Sequence, residues 1–208
     1  MKEFKQVITT YGNYYQKRKD IDREFKTGME AAEEYNAKIK SDRQTELITN
    51  QRTNSVRLRQ QYNELFANIK ESVKVFVAGK FTMTLSAEDE ATLNNLEKID
   101  LSDAEIELQI DKYKDNPLVL RRLYGLYGGG NDTIKKMLLL SSEKDYSYYM
   151  KVYDDFANLA ISGMDSLDAA DPMQVDHEYS TITADLVIKA LENELTTIEQ
   201  EFVQLESN

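Results

Sequence analysis

The chain has no cysteine and no tryptophan, and only two prolines, eight glycines and one histidine among 208 residues. Without cysteine there is no disulfide, no thiolate zinc ligand and no cysteine nucleophile. The one histidine, His177, lies between Asp176 and Glu178. A zinc site needs several nitrogen or sulfur ligands and a catalytic triad needs a placed partner, so His177 reads as a surface residue. Scarce proline and glycine favour long helices. Long apolar runs are missing too. None approaches the roughly 18 residues of a membrane span, and residues 1–10 lack the apolar core of a signal peptide. The expectation is a chain with neither secretion signal nor transmembrane segment.

What is present is charge and helical periodicity. Apolar residues make up 41% and charged residues 30%, a balance that suits helices with solvated outer faces. The net charge of −11 is unevenly spread. Residues 1–80 hold 16 Lys and Arg against 11 Asp and Glu, net +5, which leaves −16 for residues 81–208. Opposite charges of this kind attract each other within or between chains, and the acidic part repels nucleic acid and anionic membrane.

Stepping alternately by three and four from Phe4 gives Phe4, Val7, Tyr11, Tyr14, Arg18, Ile21, Phe25, Gly28, Ala32, Tyr35 and Ile39. All but Arg18 and Gly28 are apolar or aromatic, and the repeat is long enough to indicate a coiled-coil seam. So narrow a stripe needs a partner helix. Residues 40–55 break the pattern, with only Leu47 and Ile48 apolar. The seam resumes at Tyr62, Phe66, Ile69, Val73 and Phe76 in a displaced register. One long helix fits, and so does a helical hairpin with its tip at 40–55. The absence of Gly or Pro from that stretch favours the long helix. Gly79 reads as a helix C′ residue. Alternating Val73, Val75, Val77 and Phe81, Met83, Leu85 give a competing reading, a small β-hairpin near 73–85.

The remainder reads as a small helical bundle. Ser86 with Asp89, and Ser102 with Glu105, have capping-box spacing. Asn116 precedes Pro117 as an N-cap precedes a first-turn proline. Asn131 or Asp132 is placed to open a helix through Ile134, Met137 and Leu138. Ser142 is placed to open another carrying Tyr146, Tyr149, Tyr153, Phe156 and Ala160. An acidic connector covers 165–178. A second seam then runs through Ala184, Ile188, Leu191, Leu195, Ile198, Phe202 and Leu205, acidic where the first is basic.

No arrangement of residues carries a catalytic signature. Gly128, Gly129 and Gly130 precede a helix start, but the P-loop and dinucleotide fingerprints are absent, so a flexible linker is the reading. Asp165, Asp168, Asp171, Asp176 and Glu178 lack EF-hand spacing and read as a solvated acidic loop. Asp154 and Asp155 are adjacent on a helix and cannot face each other. Neither enzymatic activity nor a metal or other cofactor is expected. The cations Lys38, Lys40, Arg43, Arg52, Arg57 and Arg59 are the best nucleic-acid contacts, because residues 36–60 carry six cations against Asp42 and Glu46, net +4. They lack interleaved aromatics for base stacking, so a solvated, salt-bridged face is the reading they favour.

The stretches Leu101-Ser102-Asp103-Ala104-Glu105 and Tyr113-Lys114-Asp115-Asn116-Pro117-Leu118-Val119-Leu120, with the charged coiled-coil start and acidic helical tail, resemble scaffold-type and minor virion structural proteins of tailed bacteriophages of Gram-positive hosts. The resemblance implies a role in particle morphogenesis, in the host cytoplasm during assembly or in the virion. It departs from that group in Glu192–Glu206, which is acidic where a basic, coat-docking helix is usual.

The expected architecture is therefore all-α. Residues 1–80 form a long coiled-coil arm or hairpin, 81–178 a small helical bundle with the acidic connector, and 179–208 an amphipathic helix. The expected function is self-association by a structural or assembly protein, through Phe4, Val7, Tyr11, Tyr14, Ile21, Phe25, Tyr35, Ile39, Ile188, Leu191, Leu195, Ile198 and Phe202. Its partners would be itself, a virion protein or a regulatory target, without membrane. The alternatives are a nucleic-acid-binding accessory protein using 38–59 and a helical regulator of a partner protein.

Overall fold

The computed structural model describes residues 2–81, 85–114, 116–129, 132, 134–135, 145–174 and 178–206, without the side chains of 117, 178–181 and 200–206. The fold is all-α, and there is no strand among the described residues. The helices are α1 (Lys2–Ala32), α2 (Ala37–Phe81), α3 (Ala87–Leu96), α4 (Asp103–Lys112), α5 (Pro117–Tyr127), α6 (Tyr146–Asp168) and α7 (Glu178–Glu206), with a 3-10 turn at Pro172–Gln174. No helix among the described residues is long and apolar enough to cross a membrane.

The first helical segment is a hairpin, not one continuous helix. Its turn lies at residues 33–36, not at 40–55. The backbone amides of Glu33, Glu34 and Tyr35 reach back only three residues, tightening the last turn of α1. That turn carries Glu30 and Glu33 and has no basic residue, so the helix dipole opposes extension. Asn36 then caps α2: its side-chain oxygen accepts from the Ile39 amide at 3.2 Å. Gly79 is not a C′ residue, since α2 continues to Phe81. Residues 73–81 are helical, which removes the β-hairpin; residues 82–84 lie outside the described residues.

The chain divides into two compact units. One comprises 1–71 with 154–198, and the other 72–153 with 199–208. This division crosses the sequence segments 1–80, 81–178 and 179–208, because α2, α6 and α7 each contribute to both units.

In the first unit α2 runs antiparallel to α1. Gly28 lies against Leu47, Gln51 reaches Asp22, and Tyr14 meets Tyr62 edge-to-face at 5.3 Å. Helix α6 runs alongside α1 in the same direction, with Phe156 edge-to-face on Phe4 at 5.2 Å and Gly163 under the Tyr11 ring. Each buried phenylalanine contributes about 1.5–3 kcal/mol by leaving water. On α7 the buried line is Ala184, Leu191, Leu195 and Ile198.

In the second unit, Leu93, Leu96, Ile106, Ile110, Tyr113, Leu123 and Ile134 share one core. Its helices start as their sequences indicate. Ser86 accepts from the Asp89 amide at 3.1 Å. Glu105 accepts from the Ser102 amide at 2.8 Å. Asn116 accepts from the amides of Leu118 and Val119 at 3.1 and 3.2 Å. Helix α6 differs: its cap is Asp145, which accepts from the Tyr148 amide at 2.7 Å, whereas Ser142 lies outside the described residues. Asn131, Met137 and Leu138 lie outside them as well.

Candidate functional site

Two features of the first unit stand out, a charge cluster where α1, α2 and α6 meet and the half of the hairpin beyond it. The cluster begins with Arg18, the charged residue on the first seam. Its Nε donates to Asp22 Oδ2 at 2.9 Å and its Nη1 to Asp168 Oδ1 at 2.5 Å, with the Arg18 side chain 5% exposed. The Tyr14 hydroxyl donates to Asp168 Oδ1 as well. Arg59 of α2 reaches Asp165 at 2.6 Å and Asp168 at 3.3 Å, and Gln51 donates to Asp22 Oδ1 at 2.8 Å.

Each charge in this cluster has an opposite partner within hydrogen-bond reach, which is the condition for burying it without large cost. Burial alone would push the Arg18 pKa down. Attraction to Asp22, Asp168 and the Tyr14 oxygen outweighs that and raises it. The Tyr14 phenol is pushed well above the ordinary range, first by burial and then by its bond to Asp168. Burial, with neighbouring Tyr15, raises Tyr11 to about 12. The cluster holds three helices in one register. Asp165 and Asp168 are thus ion-paired, not loose acidic-loop residues. Asp171 caps the 3-10 turn by accepting from the Met173 amide at 2.9 Å. Asp176, His177 and the Glu178 side chain lie outside the described residues. Among the described residues no group of three or more His, Cys, Asp or Glu could hold a metal ion.

The seam residues Phe4, Val7, Tyr11, Tyr14 and Phe25 are buried, as are Leu191, Leu195 and Ile198. Ile21 and Ile188 are half-buried. The buried neighbour of Ile21 is Asp22, which takes the core position for the Arg18 pair. Tyr35 and Ile39, by contrast, are about half exposed (52% and 50%), because Tyr35 lies in the turn and Ile39 on the α2 helix that starts after it. The Phe202 side chain lies outside the described residues.

The turn also explains the displaced register of the second seam. On α2, Lys40, Gln44, Leu47, Gln51 and Ser55 are half-buried, followed by buried Leu58, Tyr62, Phe66 and Ile69. This stripe runs straight through the polar stretch. Its polar members face α1, as when Gln44 donates to Glu33 at 3.2 Å and Gln51 to Asp22. Hydrophobicity could not reveal it, but four-and-three spacing of residues with long amide or amine side chains was readable.

Beyond the cluster, α1 from residue 26 and α2 from 37 to 57 form an arm. Ala32 is its single buried residue. The 21 residues of α2 in it extend about 30 Å. Its exposed aliphatics are Ile39, Ile48 and Val56, each about half accessible, together with Tyr35 at the turn. Of the six cations that are candidate nucleic-acid contacts, three are neutralised by ion pairs. Lys40 pairs with Glu33, Arg43 with Glu46 at 2.6 Å, and Arg59 with Asp165 and Asp168. Lys38, Arg52 and Arg57 are exposed and make no ion pair among the described residues. Residues 26–57 hold six cations and five carboxylates, net +1, because α1 contributes Glu30, Glu33 and Glu34.

The glycines at 128–130 do not form a phosphate cradle as far as they are described. Gly128 ends α5, where a Cβ would meet the Tyr124 carbonyl oxygen at 2.5 Å, and Gly130 lies outside the described residues. Compared with protein-family models, curated proteins and solved structures, the chain matches none.

Proposed function

We propose that the protein is a non-enzymatic helical assembly component that acts by self-association, with the arm at residues 26–57 as its docking element. The observation that carries this reading is the composition of the arm's surface. Two helices that bury one residue between 26 and 57 leave Tyr35, Ile39, Ile48 and Val56 about half exposed. Helices with so little buried surface gain most of their stability from tertiary contact, and a partner supplies it. The seam at Phe4–Phe25, buried within the chain, is not free to serve this purpose.

Static light scattering of the purified chain across a concentration series tests the reading. A dimer or larger species is expected, and a monomer at the highest soluble concentration would sink it. The setting implied by the resemblance, as scaffold or minor virion component of a tailed bacteriophage, belongs to the same proposal. Terminase, portal or coat genes beside this one would support it, and a neighbourhood without them would count against it.

Exposed Lys38, Arg52 and Arg57 favour a second reading, attraction of nucleic acid by the arm. Its expected sign is weak binding that disappears with modest salt. Gel shift at low ionic strength distinguishes this from no binding at all.

A further inference from the structure

We infer that the arms of two copies of this chain pair antiparallel through the outer face of α2, a reading that rests on the self-association proposed above. Opposite the Lys40–Ser55 stripe, which faces α1, a second stripe runs along the helix. Its members are Lys38, Asp42, Thr45, Thr49, Arg52 and Val56, spaced four, three, four, three and four, and all are exposed. That spacing keeps side chains in one line and is the spacing of a helix-packing seam. Lys38, Asp42 and Arg52 form no ion pair among the described residues. Thr45 donates its hydroxyl to the Ser41 carbonyl at 2.9 Å, and Thr49 donates to the Thr45 carbonyl at 2.8 Å. Both hydroxyls are thus satisfied within the helix, which leaves the methyl groups for a partner.

The stripe is its own complement. Turned end over end about the point midway between Thr45 and Thr49, Asp42 falls opposite Arg52, Thr45 opposite Thr49 and Lys38 opposite Val56. A two-fold axis through that point makes each contact twice, residue i on j and j on i. Arg52 of each copy meets Asp42 of the other. Lys38 lays its aliphatic stem over Val56 and keeps its ammonium in water. Parallel pairing instead sets Lys38, Asp42 and Arg52 each against its own copy, and like charges across an interface act against pairing. Sliding the antiparallel pair by one heptad either way separates both ion pairs.

The length of the arm selects the same point independently. Helix α2 contributes residues 37–57 to the arm, and their midpoint is residue 47, which is also the centre of the stripe. Two arms paired there overlap along their whole length of about 30 Å, with the tip of each ending at the base of the other. Exposed Glu34 at one tip then comes within about one turn of exposed Arg57 in the other copy. Residues 26–57 carry a net charge of only +1, so two arms approach without strong net repulsion.

The test uses the full chain in sedimentation equilibrium. Asp42→Arg and Arg52→Glu each set like charges opposite one another twice per dimer, and each alone should weaken self-association at least about tenfold. The double variant Asp42→Arg with Arg52→Glu exchanges the two charges, keeps the net charge of the arm and should restore association. Both positions are exposed, and circular dichroism checks that every variant keeps its helix content. The chain has no cysteine of its own. An equimolar mixture of Thr45→Cys and Thr49→Cys chains, oxidised in air, should therefore form disulfides between positions 45 and 49 in preference to 45 with 45 or 49 with 49. Single variants that associate like the wild type, a double variant as weak as the singles, or disulfides joining like positions overturn the antiparallel pairing and leave self-association standing. A wild-type chain that is monomeric at the highest soluble concentration overturns both.

Discussion

Arg18 sits where helical spacing asks for an apolar side chain, and the structure makes it the centre of a paired cluster with Asp22 and Asp168. Removing one member of a buried pair leaves the other charge uncompensated. Arg18→Ala should therefore destabilise the fold by about 3–5 kcal/mol in urea denaturation, and replacing Arg18 and Asp22 together by leucine should cost less than that single change. A loss below about 1 kcal/mol for Arg18→Ala would show that the cluster is not holding the helices. Gly163 makes a different demand. A Cβ there would lie 2.7 Å from the Tyr11 ring, so Gly163→Ala should cost about 1–3 kcal/mol by overpacking. Its thermal midpoint, read beside that of Gly12→Ala, whose Cβ meets nothing within 4 Å, isolates the steric effect. The buried phenols of Tyr11 and Tyr14 ionise later than an ordinary tyrosine. A raised pKa means stability that is complete below the unfolded value near 10 and is lost as pH rises through the folded value. Tyrosinate absorbance should accordingly show a late phase that coincides with alkaline unfolding and shrinks in Tyr14→Phe.

At the scale of the element, helix boundaries are set by short polar residues. Asn36 is the clearest case, because it lets the chain reverse without glycine or proline, and no described residue has a positive φ. Asn36→Ala and Asn116→Ala should each cost about 1 kcal/mol in chemical denaturation, with the Asn116 effect confined to the second unit. The caps also carry a pH signature. Hydrogen bonds from Ser86 and then Tyr113 hold the Asp89 carboxyl below its usual range, and Ser102 does the same for Glu105. For depressed carboxylates the stability is present above the unfolded values near pH 4 and is lost as pH falls below them. The second unit should show this acid loss, and Ser102→Ala should reduce it. The capping serines and Asn116 were legible because a cap is a local contact between residues two or three apart. The turn at 33–36 was less so: its signals, Asn36 and the acids before it, are weaker than the strong Gly and Pro punctuation that the neighbouring stretch also lacks.

At the scale of the molecule, the seam from Phe4 to Phe25 is buried within the chain, and the arm is the surface proposed for a partner. If self-association runs through it, shortening the arm by equal deletions either side of the turn, 26–32 with 37–43, should leave the core of the first unit intact and abolish the oligomer in light scattering. An oligomer that survives the deletion would move the docking element elsewhere on the surface.

Periodicity and composition by themselves determined the helices, because 3.6-residue spacing and local caps act over a few residues and do not depend on what packs alongside. The buried line of α7 and most of that of α1 were readable for that reason, as was the absence of thiol chemistry. Which helix pairs with which was decided by tertiary structure alone. Whether α1 and α2 run on or fold back depends on contacts between residues far apart in sequence, such as Gly28 with Leu47 and Tyr14 with Tyr62. Such long-range contacts also neutralise Arg59, since Asp165 and Asp168, 106 and 109 residues away in sequence, have no signature in a local window. They also turn Arg18 and Asp22 from flaws in a seam into its fixed point, because a buried charge is tolerable only where the fold brings its partner.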